Sequence, residues 1–356
     1  MKNSRKGILV LRADADADIG TGHIMRCYAL AAAWHERGGQ AVFLSNLSAP
    51  PIVDRLKQAG MELVRVPETH PAAEDLILTR KVLEDCRVGH RNAQEIVTVL
   101  DGYSFGPEFQ RQAREKSDRL LVVSDMVAYP FYEADVILNQ NFGAKDLSYP
   151  CGEKTRVLLG SRYVLLRPEF LRWSEWSRKT SGKGKRVLVT MGGSDPENVS
   201  SSVIEALSLM KEEDLEVKVV IGPASPHRAR IEEKARTAHG RISCVYNPPD
   251  LSIPMQWADL AVTAAGTTCW ELCFMMVPCV TVTLAENQRV VAQGLETAGV
   301  SWGLGEHMSV SPQEITERVR EILHDPKRRE HMALSGRRLV DGHGASRVVE
   351  ALISTT

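Results

Sequence analysis

A chain of 356 residues, 43% hydrophobic and 25% charged, has the length of about two globular domains and ample apolar residues for a core in each. A formal charge of −1 at pH 7 leaves no electrostatic footprint for nucleic acid or an anionic membrane. No apolar run approaches a membrane-crossing helix, Met1 to Lys6 lacks a signal-peptide layout, and the seven cysteines form no C-x-x-C pair, so a reduced, cytoplasmic protein is expected.

Gly7 to Leu11 is short, apolar and β-branched, and reads as a buried strand. The loop Arg12-Ala13-Asp14 through Ile19-Gly20-Thr21-Gly22-His23 leads into a helix from Ile24 to Arg37, closed by Gly38-Gly39. Further strands are expected at Gln40–Ser45, Glu62–Val66, Ile96–Asp101 and Arg119–Asp125, with helices at Ile52–Ala59 and through Arg114. His70 to Arg91 is charged and less regular, a helix with loops. Apolar pieces at Asp135–Leu138, Arg156–Leu159 and Tyr163–Glu169 continue the alternation that marks a doubly wound parallel sheet. Ser177 to Lys185 is polar, basic and glycine-containing, and reads as a linker.

Beyond the linker the pattern restarts with a strand at Val187–Met191, the turn Gly192-Gly193-Ser194-Asp195-Pro196 and a helix from Glu197 to Met210. Strands at Val217–Ile221, Ile242–Tyr246, Leu260–Ala264 and Pro278–Leu284 follow, then helices at Pro312–Leu323, Lys327–Val340 and Ala345–Leu352. The expected division is a Rossmann-like catalytic domain over 1–176, a second Rossmann-like domain over 186–342 and a terminal helix over 343–356 packing back on the first. Cys269 and Cys273, four apart in a helical pattern, read as buried thiols rather than metal ligands or a disulfide. Trp173 and Trp176 read as covering a domain joint rather than stacking bases.

The first loop carries the chemistry. Its glycines let backbone approach a ligand, and the helix amides aim their positive end at the same place. Gly20-x-Gly22-His23 is not a dinucleotide fingerprint, because Met25 stands where the third glycine belongs, and no Walker A loop occurs. His23 can cap or pack against the helix, yet its place at a strand end between glycines favours a base, since imidazole accepts a proton at neutral pH. Asp14, Asp16 and Asp18 alternate, as a divalent-cation face would, but no further ligand spacing supports a metal. They read as a solvated acidic loop, with Asp14 kept as functional, binding sugar polar groups or orienting His23.

In the second half, Gly192-Gly193-Ser194 and Gly266-Thr267-Thr268 each open a helix at a strand end. One such turn is ordinary capping; two in one domain point to a diphosphate cradle. Glu271 suits either the helix dipole or a bidentate grip on ribose hydroxyls. Asn287 and Gln288 offer amides that donate and accept, as sugar hydroxyls and acetamido groups require.

The motifs R-A-D…I-G-T-G-H-I-M-R-C, L-D-G-Y, L-N-Q-N, Y-V-L-L-R-P-E-F, V-T-M-G-G-S-D-P-E-N, A-A-G-T-T-C-W-E and A-E-N-Q, in this order over about residues 7 to 305, resemble the nucleotide-sugar hydrolase family of pseudaminic acid biosynthesis. That family hydrolyses UDP-2,4-diacetamido-2,4,6-trideoxy-β-L-altropyranose, and is similar to spore-coat polysaccharide proteins and, more distantly, to the MurG-type N-acetylglucosaminyltransferase. The resemblance implies a GT-B-like α/β fold, two Rossmann-like domains facing a cleft, with UDP held by the C-terminal half. It implies His23 as general base, Gly22 beside the phosphates, and Tyr103 and Asn287 on the sugar. Glu271 would hold the ribose, Gly266, Thr267 and Thr268 the diphosphate, and Gln288 the sugar. No metal or other cofactor is implied. The sequence departs from the pattern at Gly102, where the family often has histidine, and in the acidic run through Asp16 and Asp18. A glycosyltransferase of the same fold and a non-catalytic nucleotide-sugar binding protein are the alternatives.

Overall fold

The computed structural model describes residues 7–15, 20–66, 73–89, 95–180, 182–210 and 214–354. The chain forms two compact units, Met1–Arg167 with His343–Thr356, and Pro168–Gly342.

In the first unit the elements alternate: β1 (Ile8–Ala13), α1 (Gly22–His35), β2 (Gln40–Ser45), α2 (Pro50–Gln58), β3 (Glu62–Arg65), α3 (Ala73–Gly89), β4 (Ile96–Asp101), α4 (Pro107–Lys116), β5 (Arg119–Val123), β6 (Val136–Asn139) and β7 (Arg156–Leu159). The seven strands form one parallel sheet in the order β3-β2-β1-β4-β5-β6-β7. The chain reverses its direction of travel across the sheet between β1 and β4, the point at which open α/β sheets leave a crevice beyond the strand ends. α1 buries Ile24, Cys27, Leu30, Ala31 and Trp34 on one face, at the helical repeat. Each fully buried aliphatic side chain of that face contributes about 1.5–3 kcal/mol.

One sequence expectation changes here. Tyr163–Glu169 is not a strand: Ser161–Tyr163 is a short 3₁₀ turn, and Val164, Leu165 and Leu166 are buried without joining the sheet. The helix expected within His70–Arg91 is present as α3; residues 70–72 and 90–91 lie outside the described residues.

The second unit begins with a single turn, α5 (Pro168–Leu171), and continues through β8 (Arg186–Thr190), α6 (Val199–Ser208), β9 (Glu216–Ile221), α7 (Arg228–Thr237), β10 (Arg241–Tyr246), α8 (Ser252–Trp257), β11 (Leu260–Ala264), α9 (Thr268–Phe274), β12 (Cys279–Thr283), α10 (Arg289–Thr297), β13 (Ser301–Glu306), α11 (Pro312–His324) and α12 (Pro326–Leu339). Its six strands are parallel in the order β10-β9-β8-β11-β12-β13, with the reversal between β8 and β11. β13 is a strand the sequence pattern hid, because Gly303 and Gly305 dilute its β-propensity.

The expected linker is docked rather than free. Arg178 donates through Nη2 to the carbonyl of Met255 at 2.8 Å and through Nη1 to that of Ala258, at the C-terminal end of α8. Residues 168–176, read as the end of the first domain, belong to the second unit, where Trp173 Nε1 donates to Ser252 Oγ at 2.8 Å. Trp173 and Trp176 meet edge to face at 5.6 Å. The last helix, α13 (Gly344–Ile353), adds Ala345, Val348, Val349 and Leu352 to the same core that holds Ile24, Leu30 and Trp34. All seven cysteines are unpaired, with Cys269 and Cys273 fully buried. Among the described residues no helix is long and apolar enough to cross a membrane.

Candidate active site

His23 lies in the first turn of α1, directly beyond the end of β1, and is 8% exposed. Its Nδ1 stands 2.6 Å from Oδ1 of Asp101, the last residue of β4 and fully buried. The neighbouring pairing Ala13↔Asp101 of β1 and β4 puts the carboxylate opposite the start of the loop that carries the histidine. Two facing lone pairs at that distance would repel, so Nδ1 carries the hydrogen and donates to Asp101. Nε2 is then the acceptor of the neutral ring, and among the described residues it has no hydrogen-bond partner. A histidine fixed in this way is a proton acceptor with a defined direction.

Arg26, one helical turn beyond His23, completes the geometry. Its Nε donates to Asp101 Oδ2 at 2.6 Å and its Nη2 to Oδ1 at 2.5 Å, a bidentate fork. The same guanidinium reaches Asp125, just beyond β5, through Nη1 at 2.9 Å and Nη2 at 3.1 Å. Burial alone would push the Asp101 carboxyl up; the charges of Arg26 and His23, with their hydrogen bonds, outweigh it and hold the carboxyl far below the ordinary range. Asp125 follows the same pattern, with burial opposed and overcome by Arg26. Asp101 is therefore ionised and ready to balance an imidazolium.

Tyr103 follows β4 and sets its ring edge-on to His23, with centroids 5.3 Å apart. Its hydroxyl donates to Asp125 Oδ2 at 3.3 Å, and 43% of the residue is exposed. At Gly102 a Cβ would lie 3.0 Å from the Phe105 ring, an approach to which the ring would have to yield by a few tenths of an ångström. Gly22 is the first residue of α1, half-buried, and no side chain caps that helix.

Asp14 is not the residue that orients His23. It is 5% exposed, accepts Arg12 Nη1 at 2.6 Å and the backbone N–H of Asn46 at 3.0 Å. Arg12 in turn holds Asp75 through Nε and Nη2, both at 2.9 Å. The aspartate thus neutralises a buried arginine of β1, and the orienting task falls to Asp101. Asp16 and Asp18 lie outside the described residues. Among the described residues no group of three or more His, Cys, Asp or Glu is placed to hold a metal ion.

In the second unit the predicted residues stand beyond three adjacent strands. Gly192, Gly193 and Ser194 follow β8; Gly266, Thr267, Thr268 and Glu271 follow β11; Asn287 and Gln288 follow β12. Gly192 adopts φ +84°, open to glycine and strained for other residues. The carbonyls of Gly192 and Gly193 face Gly222, where a Cβ would come within 2.4 Å and 2.3 Å of them. Across a trans peptide the next N–H points the opposite way, so the amides of Gly193 and Ser194 point away from Gly222. Among the described residues these two amides, and those of Thr267 and Thr268, have no partner. Gln288 Oε1 accepts the Leu284 N–H at 3.0 Å, which leaves its NH₂ beside Gly266. Glu271 is half-buried on the first turn of α9, and Asn287 is exposed in a 3₁₀ turn, Glu286–Gln288, that precedes α10.

One element of the expected cradle is already occupied. α6 starts at Val199, not Glu197, because Asp195 and Asn198 take left-handed backbone angles and Pro196 stays in the loop. The buried Asp195 carboxylate accepts the N–H groups of Val199 at 2.8 Å and Ser200 at 3.1 Å. The protein's own anion caps this helix, so the amides of the loop, rather than the helix end, are available there.

Sequence reasoning missed Arg26, Asp101 and Asp125 as a group. The available signals were an arginine three residues after His23 on one helix face and two aspartates ending apolar strand runs.

Residues 186–343 match the glycosyltransferase family 28 C-terminal domain. The Acinetobacter baumannii MurG crystal structure superposes with a TM-score of 0.63 at 15% identity, over 97% of this chain and 98% of that one. The fold is GT-B-like. The chain is also 28% identical to the spore coat polysaccharide biosynthesis protein SpsG of Bacillus subtilis, over 62% of this chain and 64% of that protein. It is 22% identical to a Helicobacter pylori protein named pseudaminic acid cytidylyltransferase and UDP-2,4-diacetamido-2,4,6-trideoxy-β-L-altropyranose hydrolase, over 57% of this chain and 36% of that protein. The chain thus spans less than two thirds of these two relatives. It resembles the SpsG-like and pseudaminic-acid hydrolase family and is related to MurG-type proteins.

Proposed function

We propose that this protein is a metal-independent, inverting hydrolase that releases UDP from a UDP-linked diacetamido-trideoxy sugar, the substrate class named for the Helicobacter pylori relative. The observation that carries the reading is the His23–Asp101 pair, with Nδ1 tied down and Nε2 without a hydrogen-bond partner among the described residues. Water bound at Nε2 gives up a proton to it as its oxygen attacks the anomeric carbon on the face opposite UDP. The C–O bond breaks, and its electron pair leaves on the β-phosphate oxygen. Asp101 balances the imidazolium, a contribution of about 10²- to 10⁴-fold for a well-placed base. The amides of Gly193, Ser194, Thr267 and Thr268 meet the growing charge on UDP. Glu271 takes the ribose hydroxyls, while Tyr103, Asn287 and Gln288 contact the sugar, with Gly22 beside the phosphates. Seven unpaired thiols fit a reducing, cytoplasmic setting for this chemistry.

The nucleotide part of the reading has its own test at Gly222. A methyl group there collides with the carbonyls of Gly192 and Gly193, so Gly222→Ala is expected to push the loop out of place and to weaken UDP binding by about tenfold or more. Isothermal titration with UDP reads it, and unchanged affinity would remove that loop from the nucleotide site.

A glycosyltransferase is the second reading, favoured by the family 28 match and by the MurG likeness. In that case Nε2 takes its proton from an acceptor hydroxyl instead of water. Purified protein incubated with the UDP-sugar alone separates the two. Hydrolysis yields UDP and free sugar at a steady catalytic rate; a transferase is inert until an acceptor is supplied. Tight UDP binding with no turnover of any sugar, with or without acceptor, would leave a binding protein.

A further inference from the structure

We infer that Asp125, which touches neither ring nitrogen of His23, sets the proton affinity of that ring through Arg26. The inference rests on the reading of His23 as the base. Asp125 gathers four donor atoms from three residues: Arg26 Nη1 and Nη2, the Tyr103 hydroxyl at 3.3 Å and Asn141 Nδ2 at 2.7 Å. Such a carboxylate is held in place from α1, from the loop after β4 and from the end of β6.

The guanidinium it faces is locked on both sides. Arg26 spends Nε and Nη2 on Asp101, and Nη1 and Nη2 on Asp125, so it can neither rotate nor withdraw. Its Nη2 lies 3.0 Å from His23 Nδ1. Among the described residues the titratable groups facing this cluster are Arg26 and Cys27 from α1, Asp101 and Tyr103 from the end of β4, and Asp125 from beyond β5. Cys27 donates its thiol hydrogen to Asp101 at 3.5 Å and is neutral, because burial pushes the thiol well up. Arg12 and Asp14 are engaged with one another, and Arg12 with Asp75.

With His23 neutral, two carboxylates therefore face a single guanidinium, an excess of one negative charge in a nearly dry site. Protonation of His23 brings the cluster to balance. Without the charge on Asp125, Arg26 and Asp101 already balance, and an imidazolium would add an unmatched positive charge beside the guanidinium. Asp125 thereby makes His23 a stronger base than the Asp101 contact alone would, and acts as a positioning residue rather than a catalytic one.

Asp125→Asn keeps shape and hydrogen-bonding capacity while removing the charge. The test follows the His23 ring by NMR through a pH titration of the full chain, with His23→Gln assigning its signal and a thermal melt confirming the fold. The midpoint is expected about one pH unit lower in Asp125→Asn, a tenfold weaker proton affinity, and near the wild-type value in Asp125→Glu. Asp125→Ser carries the same expectation as Asn and keeps the test open should that variant not fold. A midpoint that stays put, or rises, in the folded neutral variants overturns the inference. Because the ring titration needs no substrate, a lowered midpoint in a protein that turns over no UDP-sugar upholds the coupling and overturns the hydrolase reading alone.

Discussion

His23→Ala is expected to lower turnover of a UDP-linked deoxysugar by about 10²- to 10⁴-fold, the usual contribution of a general base, while UDP affinity stays within about twofold. The asymmetry follows from placement. His23 belongs to the first unit, and every candidate nucleotide contact except Gly22 belongs to the second or to groups on the sugar. Among the described residues the side-chain hydrogen bonds of His23 are with Asp101 and Arg26. Loss of turnover with UDP binding retained would mark a base; near-normal turnover would remove His23 from the chemistry. Steady-state assays for UDP release, paired with calorimetry, read both quantities.

Asp101→Asn is expected to have the second largest effect, on stability as well as rate. The side chain is fully buried and accepts from His23, from two Arg26 nitrogens and from Cys27. Neutralising it leaves Arg26 short of one of its two counter-charges, and removing one partner of a buried pair costs about 3–5 kcal/mol. The asparagine also presents an N–H₂ group to a donor network, so His23 loses the partner that fixes its tautomer, and turnover falls with stability. The pH dependence carries a sign. The folded-state pKa of Asp101 is depressed, so its stabilisation is complete above the unfolded carboxylate value of about 3.9 and fades as pH falls below it. Wild-type stability should therefore decline more steeply below about pH 4 than that of Asp101→Asn. Urea melts at a series of pH values check this; parallel curves would mean that Asp101 is protonated, or unimportant, in the folded protein.

The chain's alternating apolar runs made the two parallel sheets readable, because a strand buried on both faces leaves a dense local signature such as Ile8-Leu9-Val10-Leu11. Glycine loops at strand ends likewise located the loop amides and His23. What escaped was long-range or conformational. The partner of His23 lies 78 residues away, and Arg26 reaches Asp125 across 99. Nothing in the local pattern distinguishes Asp101 from any aspartate ending a strand, or Asp14 from an orienting residue. It takes the register of β1 against β4 to bring the first near the ring, and the burial of Arg12 to claim the second. The delayed start of α6 has the same origin: the left-handed angles at Asp195 and Asn198 turn a capping proline motif into a loop whose carboxylate occupies the helix end. The linker failed as a linker because basic residues suit helix C-termini as well as they suit solvent, as Arg178 at the end of α8 illustrates.

The central claim is that water, primed at Nε2 of His23, attacks carbon. Turnover in H₂¹⁸O, stopped early and read by mass spectrometry on both products, tests it most directly. ¹⁸O is expected in the released sugar and none in UDP; label in the β-phosphate of UDP would mean that the phosphorus–oxygen bond breaks, and would contradict attack at carbon.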